Sequence, residues 1–151
     1  MDKSFVFTTS LNGSYKAVLD VLQEDYERGS PRLVTQHTVG GGYCGLVGLL
    51  GDFKGRLIVD LTDEVISRAA MKMFGMVIED DGMIQSFASE LVNMIAGNAC
   101  TQLANGGIHL DITPPTLLHG TSSFIGFHEG IEFDVFDGDM KLLTLTISLE
   151  G

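Results

Sequence analysis

The sequence predicts an α+β fold, an antiparallel sheet packed with helices that include one long helix, in a single domain over residues 1–151. Three observations carry this reading. Segments with a helical apolar period and segments that alternate at period two are grouped rather than strictly interleaved, the order expected of α+β layers and not of repeated βαβ units. The clearest strand pairs are joined by short turns and must therefore run antiparallel. Finally, 151 residues suit one hydrophobic core, since domains commonly hold roughly 100–150 residues, and no repeat, low-complexity tract or Pro/Ser-rich linker divides the chain.

The elements follow in order. After a short N-terminal lead, "SYKAVLDVLQEDY" sets Tyr15, Val18, Leu19, Leu22 and Tyr26 at helical spacing, and this helix is expected to stop before Gly29. "RLVTQHTV" alternates as a strand. The glycine-rich "VGGGYCGLVG" lacks the Lys-Ser/Thr of a phosphate-binding P-loop and opens no helix, so it is expected to be a tightly turned loop ahead of a strand. "YCGLVGLLGDFKGRLIVDL" reads as two strands joined around Gly51 to Gly55. "TDEVISRAAMKMFG" is a short helix capped by Thr62 or Asp63 and closed by Gly75.

The longest helical stretch is "DDGMIQSFASELVNMIAGNACTQLANGG", with Asp80 and Asp81 at its positive end and Gly106 at its close. "HLDIT" then leads into Pro114 and Pro115, which belong at an edge or turn because neither donates a ladder hydrogen bond. "IEFDVF" and "KLLTLTISLE" flank the turn pair Asp137 and Gly138. In the last segment Leu143, Leu145, Ile147 and Leu149 alternate with Thr144, Thr146 and Ser148, giving one apolar and one polar face, as in a strand laid over a core.

Composition narrows the function. A formal net charge of -11 and a pI near 4.5, with Lys and Arg scattered, leave no basic track for a phosphate backbone, so nucleic acid is excluded as a partner. No run of about 18 apolar residues suggests a membrane span, and "MDKSFVFTTSL" is too short an apolar run for a signal peptide. A cytoplasmic location is expected. Cys44 and Cys100 read as buried reduced thiols. His37, His109, His119 and His128 do not fall at helical ligand spacing, so no metal is assigned. Met71, Met73, Met76, Met83 and Met94 fit helix packing, with a binding groove as the alternative.

On the long helix, Ile84, Phe87, Ala88, Leu91, Met94 and Ile95 form a wide apolar stripe for the core. Ser86, Glu90, Asn93 and Gly97 occupy a separate arc of roughly 60°. A carboxylate and a carboxamide three residues apart project side by side, and Gly97, one turn on, removes the side chain that would hold a partner away. Gly97 costs roughly 1 kcal/mol relative to alanine in a helix interior. Docking would offset that, or close packing against another helix of the same chain. Asn98, near the apolar stripe, reads as a buried amide bonding neighbouring backbone.

"SFASELVNMIAGNA", followed about twenty positions later by Pro114 and Pro115, resembles the CheC/CheX/FliY family of bacterial chemotaxis phosphatases. Ser86, Glu90 and Asn93 match its signature in order and spacing, and either proline could be the signature's downstream one. The resemblance implies removal of the aspartyl phosphate from a phosphorylated CheY-type response regulator. Asn93 would position the water and Glu90 would pair with a cation on the partner, with Ser86 and Gly97 at the contact. No cofactor of the chain's own is implied, because the divalent ion belongs to the regulator. "DEVISRAAMKMFG" offers Glu64 without an Asn, and the first helix offers only Asn12. One site per chain therefore points to the CheX type and implies a homodimer. The alternative is a non-catalytic module that docks a receiver domain or a flagellar switch component on the same ridge.

Overall fold

The computed structural model describes residues 1–150, with side chains described outside 38–40 and 121–128. Three helices and six strands follow one another as α1 (Lys3–Leu22), β1 (Glu27–Arg28), β2 (Arg32–Gly51), β3 (Gly55–Leu61), α2 (Asp63–Phe74), α3 (Asp81–Asn105), β4 (Leu110–Ile112), β5 (Thr116–Asp137) and β6 (Met140–Leu149). Every pairing is antiparallel, so the α+β prediction holds. The expected joints also hold at Gly51 to Gly55, at the Thr62 cap, at Gly75 and at Asp80.

Both ends of the first helix differ from the sequence reading. The N-terminal lead is itself helical, because Asp2 caps it by accepting the amide of Ser4. Val6, Phe7, Ser10, Ser14, Ala17 and Val18 then extend the buried face. At the other end α1 stops at Leu22, where Gln23 takes a left-handed conformation and its amide bonds the carbonyl of Leu19. Tyr26 thus lies beyond the helix, and Tyr15 donates its hydroxyl hydrogen to the Tyr26 carbonyl.

The expected glycine-rich loop is strand. β2 runs through it, accommodating Gly40 to Tyr43 as a shift of register against β5, with Gly41 at φ +103°. β5 begins directly after the proline pair, well before the "IEFDVF" segment. The sheet runs β1-β5-β6-β3-β2-β4, and β5 returns to pair with β2. β2, β3, β6 and β5 thus close on themselves.

That closure explains why β6 does not show a solvent face. Thr144, Thr146 and Ser148 are buried along with Leu143, Leu145 and Ile147. The apolar residues meet the helices, in the core that includes Phe133, Leu57, Val59, Leu91 and Ile95. The hydroxyl residues face inside the closed strands, where Cys44 and Ile58 pack with Val34, Leu46 and Leu118. Cys44 is buried as expected, but Cys100 is only half-buried.

Candidate functional site

Two polar clusters stand out, and they are built oppositely. The first lies within the closed strands. His37 of β2, 4% exposed, meets Glu132 of β5 through Nδ1 at 2.6 Å and Asp60 of β3 through Nε2 at 2.7 Å. Facing a carboxylate at each nitrogen, the ring holds both protons. Burial pulls its pKa down, but the bonds to Asp60 and Glu132 outweigh this and raise it to about 9. Burial acts on Glu132 in the opposite direction and is overcome by bonds from His37, Thr146 and Arg32, which hold it at about 2.

Arg32 closes the outer edge, on Glu132 at 2.5 Å and Asp134 at 3.1 Å. Cys44 Sγ lies within 4.8 Å of the His37 and Asp60 donors. Its thiol is pushed up by burial and by Asp60. Nothing in the spacing of His37, Asp60 and Glu132 along the chain announced this cluster, because strand closure assembles it. Its hydrogen-bonding capacity is used internally. His109 and His119 do not join it: His119 stacks on Tyr43, with ring centroids 4.1 Å apart. The side chain of His128 lies outside the described residues.

The second cluster is on α3. Asp80 caps this helix, accepting the amide of Met83 at 3.0 Å. Phe87, Ala88, Leu91, Val92, Ile95 and Ala96 are buried against the sheet. The approach is close: a Cβ on Gly45 of β2 would stand 2.4 Å from Val92 Cγ2, so that strand position needs glycine. Seating this face turns the opposite one outward. Ser86, Glu90 and Asn93 are all exposed. Among the described residues, the side chains of Glu90 and Asn93 take no intramolecular hydrogen bond or ion pair.

A cleft of about 420 Å3 opens beside this pair, lined by Ser89, Glu90, Asn93, Ile112, Thr113, Pro114 and Pro115. Its far wall is anchored. Thr113 Oγ1 accepts the Gly48 amide at 2.8 Å, and the Thr113 amide donates to the Gly48 carbonyl at 3.0 Å. Both prolines line the cleft, which brings the motif's two distant parts together. A Cβ on Gly97 would meet nothing within 4 Å. That removes internal packing as the reason for this glycine.

Other expectations change. Asn98 is half-buried and its Oδ1 accepts from the Gln102 side chain at 3.2 Å, rather than bonding backbone. Met94 leaves the core stripe and is 36% exposed. Met71, Met76 and Met83 are about half exposed, so helix packing does not account for them. A larger groove of about 620 Å3 lies between the end of α1 and α2. Its cations are already paired, Lys72 with Glu24 and Arg68 with Glu64, both at 2.9 Å.

The family model described as "Chemotaxis phosphatase CheX" matches residues 43–132, a span holding the motif helix and the proline loop. The chain is a member of the CheX family of chemotaxis phosphatases. It is 31% identical over 108 residues, covering 70% of each chain, to the "CheY-P phosphatase CheX" of Thermotoga maritima. It is also similar to the CheX protein of Borrelia burgdorferi solved as a CheX-CheY-BeF3-Mg2+ complex, at 27% identity, covering 95% of this chain and 97% of that one with TM-score 0.74. A CheC-like superfamily protein from a Shewanella strain shares the fold, with TM-score 0.78 at 23% identity and full coverage of both chains. Membership in CheX makes this chain a phosphatase.

Proposed function

We propose that this CheX-type chain accelerates hydrolysis of the aspartyl phosphate on a CheY-type response regulator, with Glu90 docking the partner and Asn93 positioning the attacking water. The observation that carries the reading is the pairing of Glu90 and Asn93, exposed and without intramolecular partners, over the cleft walled by Pro114 and Pro115. The named function of the Thermotoga relative and the CheY present in the Borrelia complex support the choice of partner.

The chemistry asks little of the phosphatase. An aspartyl phosphate is an acyl phosphate whose leaving group is a carboxylate. Water attacks phosphorus in line, the bond from phosphorus to the carboxylate oxygen breaks, and the water proton passes to the departing phosphate. The regulator brings the divalent ion. What remains is orientation, and the Asn93 carboxamide both donates and accepts, so it can hold a water by two atoms. Pre-alignment of this kind lowers a barrier by several kcal/mol without a covalent intermediate. Glu90, three residues away on the same arc, supplies a charge-assisted contact to a cation on the regulator. Ser86 and Gly97 flank the pair, and the bare Gly97 position lets the regulator's backbone approach.

A homodimer and a cytoplasmic location complete the reading, and sedimentation at several concentrations tests the former. The activity is tested by mixing the protein with phosphorylated CheY and Mg2+ and following phosphate release. Acceleration over the regulator's own hydrolysis is expected. Binding without acceleration would favour a docking module instead.

A further inference from the structure

Beside Glu90, and sharing no other lining residue with the proline cleft, lies a second cleft of about 450 Å3 lined by Phe74, Ile78, Asp80, Gly82, Met83, Ser86, Phe87 and Glu90. Two of its apolar residues are open, Phe74 at 57% and Met83 at 54% exposure, and Met76 and Val77, which follow Phe74 in the chain, are 53% and 65% exposed. Large apolar side chains clustered on a surface mark a contact site. Phe74 is held for one, since its ring stands edge-on to the buried Phe87 at 5.3 Å. A ring fixed in advance loses little conformational freedom on binding.

We infer that this shelf is the second half of the docking surface, and that its occupant is the receiver domain whose phosphoryl group reaches Asn93. The inference rests on the proposed phosphatase reading and adds a specificity surface to it. Three arguments select this occupant. The first is continuity, because Ser86 and Glu90 line the shelf and Glu90 also lines the proline cleft. One side chain thus joins both surfaces.

The second is reach. A standard interface covers about 800 Å2 per partner, a disc about 16 Å in radius. Met83 precedes Glu90 by seven residues, about 10 Å along the axis at 1.5 Å per residue. A folded domain centred over Glu90 and Asn93 therefore overhangs the shelf.

The third is charge. Asp80 and Glu90 line the shelf and, like Glu79 and Asp81 beside Asp80 in the chain, are exposed. A second copy related by a two-fold axis would set these acids against their own copies, like against like. A receiver with an apolar patch bordered by basic side chains fits it. Methionine suits the contact, being flexible enough to mould to a partner.

The test measures affinity and turnover separately. Binding is followed by calorimetry with a CheY receiver domain loaded with BeF3 and Mg2+, and turnover with the phosphorylated receiver. Phe74→Ser and Met83→Ser are each compared with the unmodified protein, with thermal unfolding as the folding control. Met83→Ser keeps the test valid if loss of the Phe74–Phe87 contact unfolds the first variant. The expected result for each folded variant is a Kd raised about tenfold, with an equal rise in KM and an unchanged kcat. An unchanged Kd in the folded variants, while the unmodified protein dephosphorylates CheY, overturns the shelf alone. Loss of self-association with receiver affinity intact also overturns it, making the shelf a contact between copies. Failure of the unmodified protein to bind or dephosphorylate the receiver overturns the phosphatase reading, and the shelf's assignment with it.

Discussion

His37 and Asn93 are both polar side chains on long elements of the same protein, yet their surroundings are reversed. His37 is sealed within the closed strands with a carboxylate on each ring nitrogen. Asn93 stands on the solvent face of α3 with no intramolecular partner among the described residues. A buried polar group must be bonded internally because water is gone. An exposed one has its bonds available to something else. The comparison teaches that the number of polar groups does not locate function here. Side chains with unused hydrogen-bonding capacity are the better candidates, and the proposed pair on α3 is of that kind.

Breaking the sealed cluster gives the largest expected change. His37→Ala leaves Glu132 and Asp60 without their shared cation, and loss of one partner from a buried pair costs about 3–5 kcal/mol. Urea unfolding measures this, while turnover per folded molecule stays unchanged, since neither His37 nor its partners Asp60 and Glu132 line the cleft.

Breaking the open cluster gives the inverse pattern. Glu90→Ala removes a charge-assisted contact worth about 1.5–3 kcal/mol, so affinity for the receiver falls by about tenfold or more. Stability moves within about 0.5 kcal/mol, as for other surface changes.

Acidity sharpens the contrast. His37 sits at about 9, above its ordinary 6.5, so its stabilisation is complete below 6.5 and lost as pH climbs through 9. Glu132 sits at about 2, below its ordinary 4.5, so its stabilisation is complete above 4.5 and lost as pH falls towards 2. The cluster's contribution is thus full between about pH 4.5 and 6.5 and declines on both sides. Unfolding free energies across this range check it, and His37→Gln should flatten the alkaline decline.

The smallest effect is at Gly97. Alanine there meets open space and should raise stability by about 0.5–1 kcal/mol, the usual gain for replacing glycine within a helix. A bulkier Gly97→Leu should weaken receiver binding without loss of stability.

The motif half of the candidate site was legible in the sequence for a physical reason. Helical periodicity alone decides that Ser86, Glu90, Asn93 and Gly97 share an arc, and burial of Phe87 and Leu91 decides which way it points. The proline wall was half legible. Pro114 and Pro115 were visible, but their place beside Asn93 depends on Thr113 bonding Gly48 across 65 residues. The buried cluster was not legible, because His37, Asp60 and Glu132 meet only when β5 returns to β2. The same closure misled the reading of β6, whose polar residues alternate as if toward water. The methionines misled for another reason: residue type predicts burial, and only the packed helices show that Met83 and Met94 were left outside.

The central claim is that Asn93 acts on the water and not on the grip. Its most direct test is Asn93→Ala, measured for affinity toward the BeF3-loaded receiver and for the rate at which phosphate leaves the phosphorylated one. The account predicts a Kd within about twofold of the unmodified protein and a rate lower by about 100-fold, a loss confined to the transition state. A rate that falls only in proportion to affinity, or does not fall at all, would contradict it.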